Sequence, residues 1–227
     1  MAPASLDMSP RTRITPLVPR ICHWLNALAL VIMIGSGWRI YDSWPVLPDL
    51  LRYIPRTITL GGSFEALKGE SGLAGALMWH LAGVWLLVIN FLVYLAHGLL
   101  TGRFRRRLLP IRPRALGRDL VAALRFGLAY QAGTYNAVQR LLYIGVLGLI
   151  ALAILSGLAI WKPVQLQALT WLLGGFQSAR FIHFLCMAGI VAFIAIHLVR
   201  VALVPRSLAA MVTGHARVPS PVARERP

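Results

Sequence analysis

Four stretches of this sequence stay apolar for longer than a helix facing water would: 21–40 (ICHWLNALALVIMIGSGWRI), 74–97 (AGALMWHLAGVWLLVINFLVYLAH), 138–161 (VQRLLYIGVLGLIALAILSGLAIW) and 181–204, which opens FIHFLCMAGIVAFIAIHLVR. A hydrocarbon layer about 30 Å thick is crossed by about 20 predominantly apolar residues in a helix. Each stretch reaches that length, so the chain is predicted to be an all-α integral membrane protein, a four-helix transmembrane bundle. The shorter run QLQALTWLL at 165–173 cannot span, and is predicted to lie in the interface with Trp171 at headgroup level. Ahead of the first run, MAPASLDMSPRTRITPLVPR is polar and Pro-containing, and the run itself shows no evident cleavage site, so it is expected to be retained as a helix.

Charge distribution supplies the orientation. The 227 residues are 58% hydrophobic and 13% charged, with a net charge of +16. Such an excess suits nucleic acid when arginines line one polar face; here they cluster between apolar runs, which argues against a nucleic-acid partner and for loops beside membrane lipid. The connection TGRFRRRLLPIRPRALGRDLVAALRF holds eight Arg and one Asp, and the tails add Arg11, Arg13, Arg20, Arg206, Arg217, Arg224 and Arg226. Positive-inside topology puts this connection and both termini in the cytoplasm. The 38–72 loop, where Arg39, Arg52, Arg56 and Lys68 are balanced by Asp42, Asp49, Glu65 and Glu70, then lies outside with the shorter 162–180 loop. In a Gram-negative bacterium this is a multi-pass protein of the inner membrane with periplasmic outer loops. The expected organisation is an N-terminal tail over 1–16, a four-span domain over 17–206, and a charged, Pro-rich, disordered tail over 207–227, with no internal repeat. Cys22 and Cys186 read as buried small hydrophobes rather than a disulfide or metal pair.

The histidines point to chemistry. His183 and His197 are 14 residues apart on the fourth span, which is 40° short of four helical turns and about 21 Å of rise. They share one face at two depths. Ionisable groups within a span are costly and usually face the bundle interior. The first span enters from the cytoplasm with His23 near the depth of His197, and the second enters from outside with His80 near the depth of His183. Two cross-bundle pairs follow, His23 with His197 and His80 with His183. Zinc, copper and haem iron all accept imidazole, but a closed zinc site needs three or four ligands together. Haem needs only two axial ligands from the protein, since the macrocycle supplies the other four, so two haems are predicted, with these four histidines as axial ligands. His97, 17 residues after His80, is 100° off its face and reads as interfacial, or as a competitor of His23 for the inner site. His215 belongs to the polar tail. Arg20, Arg180 and Arg200 each lie three residues from a predicted ligand and are candidates to pair with haem propionates, as well as ordinary span-end cations. With both axial positions filled, no catalytic residue is predicted and iron would cycle between two oxidation states.

PRICHWLNALAL with His23, MWHLAGVW with His80, and RFIHFLCMAGIVAFIAIHLVR with His183 and His197 together resemble the bacterial cytochrome b561 and nickel-hydrogenase b-type cytochrome family, which includes membrane subunits of formate dehydrogenase and thiosulfate reductase. The resemblance spans roughly residues 17–206. It implies a four-helix bundle with two b haems, no ligand from the third helix, and electron transfer between quinone and a partner redox enzyme, often on the outer face. Hydrogenase-type members usually carry a fifth span, which is not found here, so a periplasmic molybdopterin-type oxidoreductase is at least as plausible a partner as hydrogenase. An electron-transfer subunit is expected rather than a self-contained enzyme. The nearest variant is a stand-alone oxidoreductase that passes electrons from an outside donor such as superoxide to quinone. The rival from another class is a haem-free transporter or scaffold; four spans, no repeated halves and no acidic residue within a span count against it.

Overall fold

The computed structural model describes residues 11–43, 72–109, 111–125 and 135–217. Four of the described helices are long and apolar enough to cross a membrane. They are α1 (Leu17–Ser43), α2 (Gly72–Leu100), α5 (Ala137–Trp161) and α7 (Phe176–Leu203), with α3 (Arg103–Arg107) and α4 (Pro113–Leu124) between the second and third, α6 (Gln167–Leu172) between the third and fourth, and α8 (Pro205–Thr213) after the last. Helix α1 begins one turn before hydropathy alone suggests, because Pro19 is tolerated within a first turn, where backbone N–H groups have no intrahelical acceptor. The short α6 coincides with the predicted interfacial helix and leaves Trp171 79% exposed. Its turn into α7 needs positive φ at two successive residues, 80° at Gly174 and 93° at Gly175, which only glycine adopts readily.

The spans pack as two hairpins, α1 against α2 and α5 against α7. Lipid chains are as apolar as leucine, so small residues and buried hydrogen bonds must select the partners. At Gly83 of α2 an added Cβ would lie 3.0 Å from both Ile32 Cγ2 and Met33 Sδ of α1; at Gly189 of α7 it would lie 2.9 Å from Leu149 Cδ1 of α5. Buried Asn90 adds a polar tie within the first hairpin, donating to the Cys22 carbonyl at 2.8 Å and to Asn26 Oδ1 at 2.7 Å. Ala29, Leu87, Phe91, Ile150 and Ile190 form a buried cluster at mid-height to which all four spans contribute. Away from it the two hairpins approach each other sparsely.

The described segments before α1 and after α8 meet at one end of the bundle, called here the termini side. Strand β1 (Arg11–Arg13) pairs antiparallel with β2 (His215–Arg217), Thr12 opposite Ala216. The last carbonyls of α8 have no intrahelical donor; Arg20 supplies one, its Nε donating to Met211 O at 3.2 Å and its Nη2 to Val212 O. One expectation is revised here. The described part of the C-terminal tail, through Arg217, is helix and strand held by this clasp rather than disordered, while residues 218–227 lie outside the described residues. The Arg-rich connection likewise contains helices α3 and α4, and Asp119 of α4 accepts from Ala137 N at 2.9 Å, reinforcing the Asn136–Gln139 capping box that starts α5. Most of the expected outer loop, 44–71, and the start of the N-terminal tail, 1–10, lie outside the described residues.

The hairpin crossings make a direct stability prediction. Gly83→Val overpacks against Ile32 and Met33 at a cost of about 1–3 kcal/mol, and should lower the melting temperature in detergent by roughly 2–10 °C. Gly145→Ala, where an added Cβ meets nothing within 4 Å, should not lower it. Circular-dichroism melts of the two variants beside the parent check this.

Candidate functional site

Helix length sets the depth of each histidine. His23 is six residues from the start of α1 and His197 six from the end of α7, so both sit about 9 Å inside the termini side at 1.5 Å per residue. The start of α1 at Leu17 thus gives the two the same depth. At the far side, His80 is eight residues into α2 and His183 seven into α7, about 12 and 10 Å.

The rings meet in twos. His23 and His197 have centroids 6.0 Å apart at an interplanar angle of 64°, and His80 and His183 have centroids 6.2 Å apart at 69°. Both pairs lie across the seam between hairpins, one on each side of the mid-height cluster. His97 makes no ring contact among the described residues, and His215 is exposed in β2 with its Nδ1 at 3.0 Å from Thr213 O. The ring that faces His197 is thus His23, not His97.

The two pairs are supported differently. His80 Nδ1 lies 3.0 Å from Ser36 Oγ on α1, and His183 Nδ1 lies 3.2 Å from Ser156 Oγ and 2.9 Å from Ala153 O on α5. The glycine after each serine makes room for the ring: a Cβ on Gly37 would meet His80 Cε1 at 3.2 Å, and one on Gly157 would meet His183 Cε1 at 3.2 Å. On the termini side, Trp24 meets His23 edge-on at 5.2 Å and Phe193 stacks on His197 at 6.0 Å and 10°, and no hydrogen bond reaches either ring among the described residues. Neither serine stands out in the sequence alone; the signal was the Ser-Gly dipeptide recurring in the first and third spans, GSGW and LSGL.

The arginines divide. Arg20 belongs to the clasp on α8. Arg180 Nη1 donates to Gln177 Oε1 at 2.8 Å. Arg200 has no hydrogen-bond or ionic partner among the described residues.

Fold and rings define a class: a four-helix membrane bundle with histidines facing each other in twos at two depths. This chain belongs to the prokaryotic cytochrome b561 family, whose match covers residues 14–214. It is also similar to an Azospira oryzae protein with the provisional name protein-methionine-sulfoxide reductase subunit YedZ1, at 44% identity over 197 residues, 86% of this chain and 93% of that protein. The chain is accordingly a membrane b-type cytochrome, an electron-transport protein whose prosthetic group is b-type haem.

The residues present fit that group on three counts. An imidazole nitrogen binds a transition metal at about 2.0–2.1 Å, so two rings facing one ion have centroids about 6 Å apart, close to both observed separations. No three of His, Cys, Asp and Glu converge among the described residues, so ligands are offered in twos. Finally, Trp38 Nε1, one residue beyond the Gly37 that packs on His80, is buried without an acceptor among the described residues. A buried N–H is rarely left so unless an acceptor comes from elsewhere, and a propionate is such an acceptor.

Gly157 offers the sharpest local test. Gly157→Val crowds His183 and is expected to lower haem content per chain, by pyridine haemochrome assay, to roughly half or below, matching the 10- to 100-fold losses in affinity typical when a ligand's support is disturbed. Gly145→Val should leave it unchanged.

Proposed function

We propose that this chain is a di-haem subunit of the cytoplasmic membrane that takes electrons from quinol and delivers them to a protein-methionine-sulfoxide reductase docked on its outer side. The observation that carries the proposal is the pair of imidazole couples, 6.0 and 6.2 Å apart in centroid, on opposite sides of one apolar cluster. His23 with His197 would hold one haem b and His80 with His183 the other. The termini side is cytoplasmic by the positive-inside rule, since it carries the arginines of α3, α4 and the clasp. Arg200 on that side and Arg180 on the far side are the residues proposed to pair with propionates.

Bound there, b-type haem supplies reversible one-electron chemistry with no open coordination position, so it carries electrons and leaves substrate chemistry to a partner. The chain's own residues do the rest. The four histidines fix two sites about 21 Å apart along α7. The cluster of Ala29, Leu87, Phe91, Ile150 and Ile190 excludes water between the sites. Ser36 and Ser156 hold the far-side rings. Reducing a methionine sulfoxide takes two electrons and two protons and yields methionine and water; quinol supplies two electrons and releases two protons. The similarity to the Azospira protein supports this partner, and the wholly membrane-embedded bundle suits a lipid-soluble donor.

Haem counting tests the core of the proposal. The purified parent should hold two haems per chain, His197→Ala one, and His97→Ala two; a parent without haem refutes the proposal, and two haems surviving His197→Ala refute the pairing. The partner is tested by co-expression with a methionine-sulfoxide reductase: quinol-reduced cytochrome should reoxidise on adding methionine sulfoxide only when the reductase is present. Catalysis by the isolated chain, with superoxide as donor and quinone as acceptor, would point instead to a stand-alone oxidoreductase.

A further inference from the structure

His80 and His183 come from different hairpins, yet each is gripped by the same device on its hairpin partner. Ser36 Oγ lies 2.6 Å from the Ile32 carbonyl four residues back, and Ser156 Oγ lies 2.7 Å from the Leu152 carbonyl four residues back. A hydroxyl has one proton to give, and a carbonyl can only accept, so each serine proton goes to the backbone. Toward the histidine the serine oxygen is therefore an acceptor, and Nδ1 must carry the hydrogen. His183 confirms this independently, since its Nδ1 also faces the Ala153 carbonyl at 2.9 Å. The glycine after each serine brings the ring against the helix at the same offset. The lone pair of each ring is thereby left on Nε2, the nitrogen free to bind a metal.

We infer that Ser36 and Ser156 are positioning residues that fix the Nδ1–H tautomer of the far-side ligands and set the redox poise of the haem they hold, an inference that rests on the two-haem reading above. A hydrogen bond donated by Nδ1–H raises the basicity of the ligating nitrogen. A more basic ligand favours ferric over ferrous iron, so the two serines lower the far-side potential and make that haem the stronger reductant where the partner docks. The termini-side pair has aromatic neighbours and no such acceptors among the described residues, so the effect is confined to one haem.

Redox titration of the haem-loaded protein, followed optically and by low-temperature electron paramagnetic resonance, tests this. Each of Ser36→Ala and Ser156→Ala should raise the ferrous-to-ferric ratio of one haem at fixed potential by roughly two- to tenfold, the range of a single hydrogen bond, with tenfold corresponding to 59 mV for one electron. The haem that moves should be the one lost in His80→Ala, and its low-spin ferric signal should shift with it. Ser36→Thr and Ser156→Thr keep the hydroxyl and should restore the parent potential. Ser207→Ala is the control, since Ser207 Oγ makes the same kind of local bond, to Val204 O at 2.7 Å, but touches no histidine. Should an alanine variant fail to retain haem, Ser→Cys, with a weaker acceptor, must move the potential in the same direction by less. Unchanged potentials and signals in a parent holding two haems overturn the serine assignment alone; a parent with fewer than two haems overturns the reading beneath it.

Discussion

An imidazole carries two nitrogens, and within a bilayer neither can be satisfied by water. Much of the helix packing in this bundle bears on how four such rings are accommodated in a largely apolar interior. At the far side Nδ1 of His80 and of His183 is matched by a serine on the neighbouring helix. At the termini side the rings are fixed by Trp24 and Phe193, contacts that set orientation without drawing on a ring nitrogen.

The hairpin is the unit in which this is achieved. Each far-side histidine is buttressed by the span it packs against, so its ring is positioned within its own hairpin. The hairpins touch mainly at one mid-height cluster, with a facing pair of histidines on either side of it. Across the termini, the β1–β2 pair and Arg20 tie the ends of the first and last spans together, which limits how far the seam can open. Ser36-Gly37 and Ser156-Gly157 play equivalent parts in the two hairpins, although the sequences around them share little beyond that dipeptide.

Length, hydropathy and histidine spacing made much of this legible in the sequence. Runs of 20 or more apolar residues can only be spans, and an interval of 14 can only place His183 and His197 on one face at two depths, because helix geometry allows no other result. The family followed from the motifs around the same histidines. The partners of those histidines across the bundle were inferred from depth alone, and the placement of His23 rather than His97 against His197 needed the real start of α1 at Leu17.

What the sequence determined by itself was therefore the membrane, the number of spans, and the depths of the histidines, all of them properties of a single helix read along its length. Only the tertiary structure decided which side chains meet Nδ1 of His80 and His183, that Arg20 closes on the end of α8, and that two ordinary Ser-Gly dipeptides become matching cradles. Such contacts depend on the rotation of one helix about its axis relative to another, and with lipid as apolar as the helix faces, hydrophobic patterning is silent about that angle.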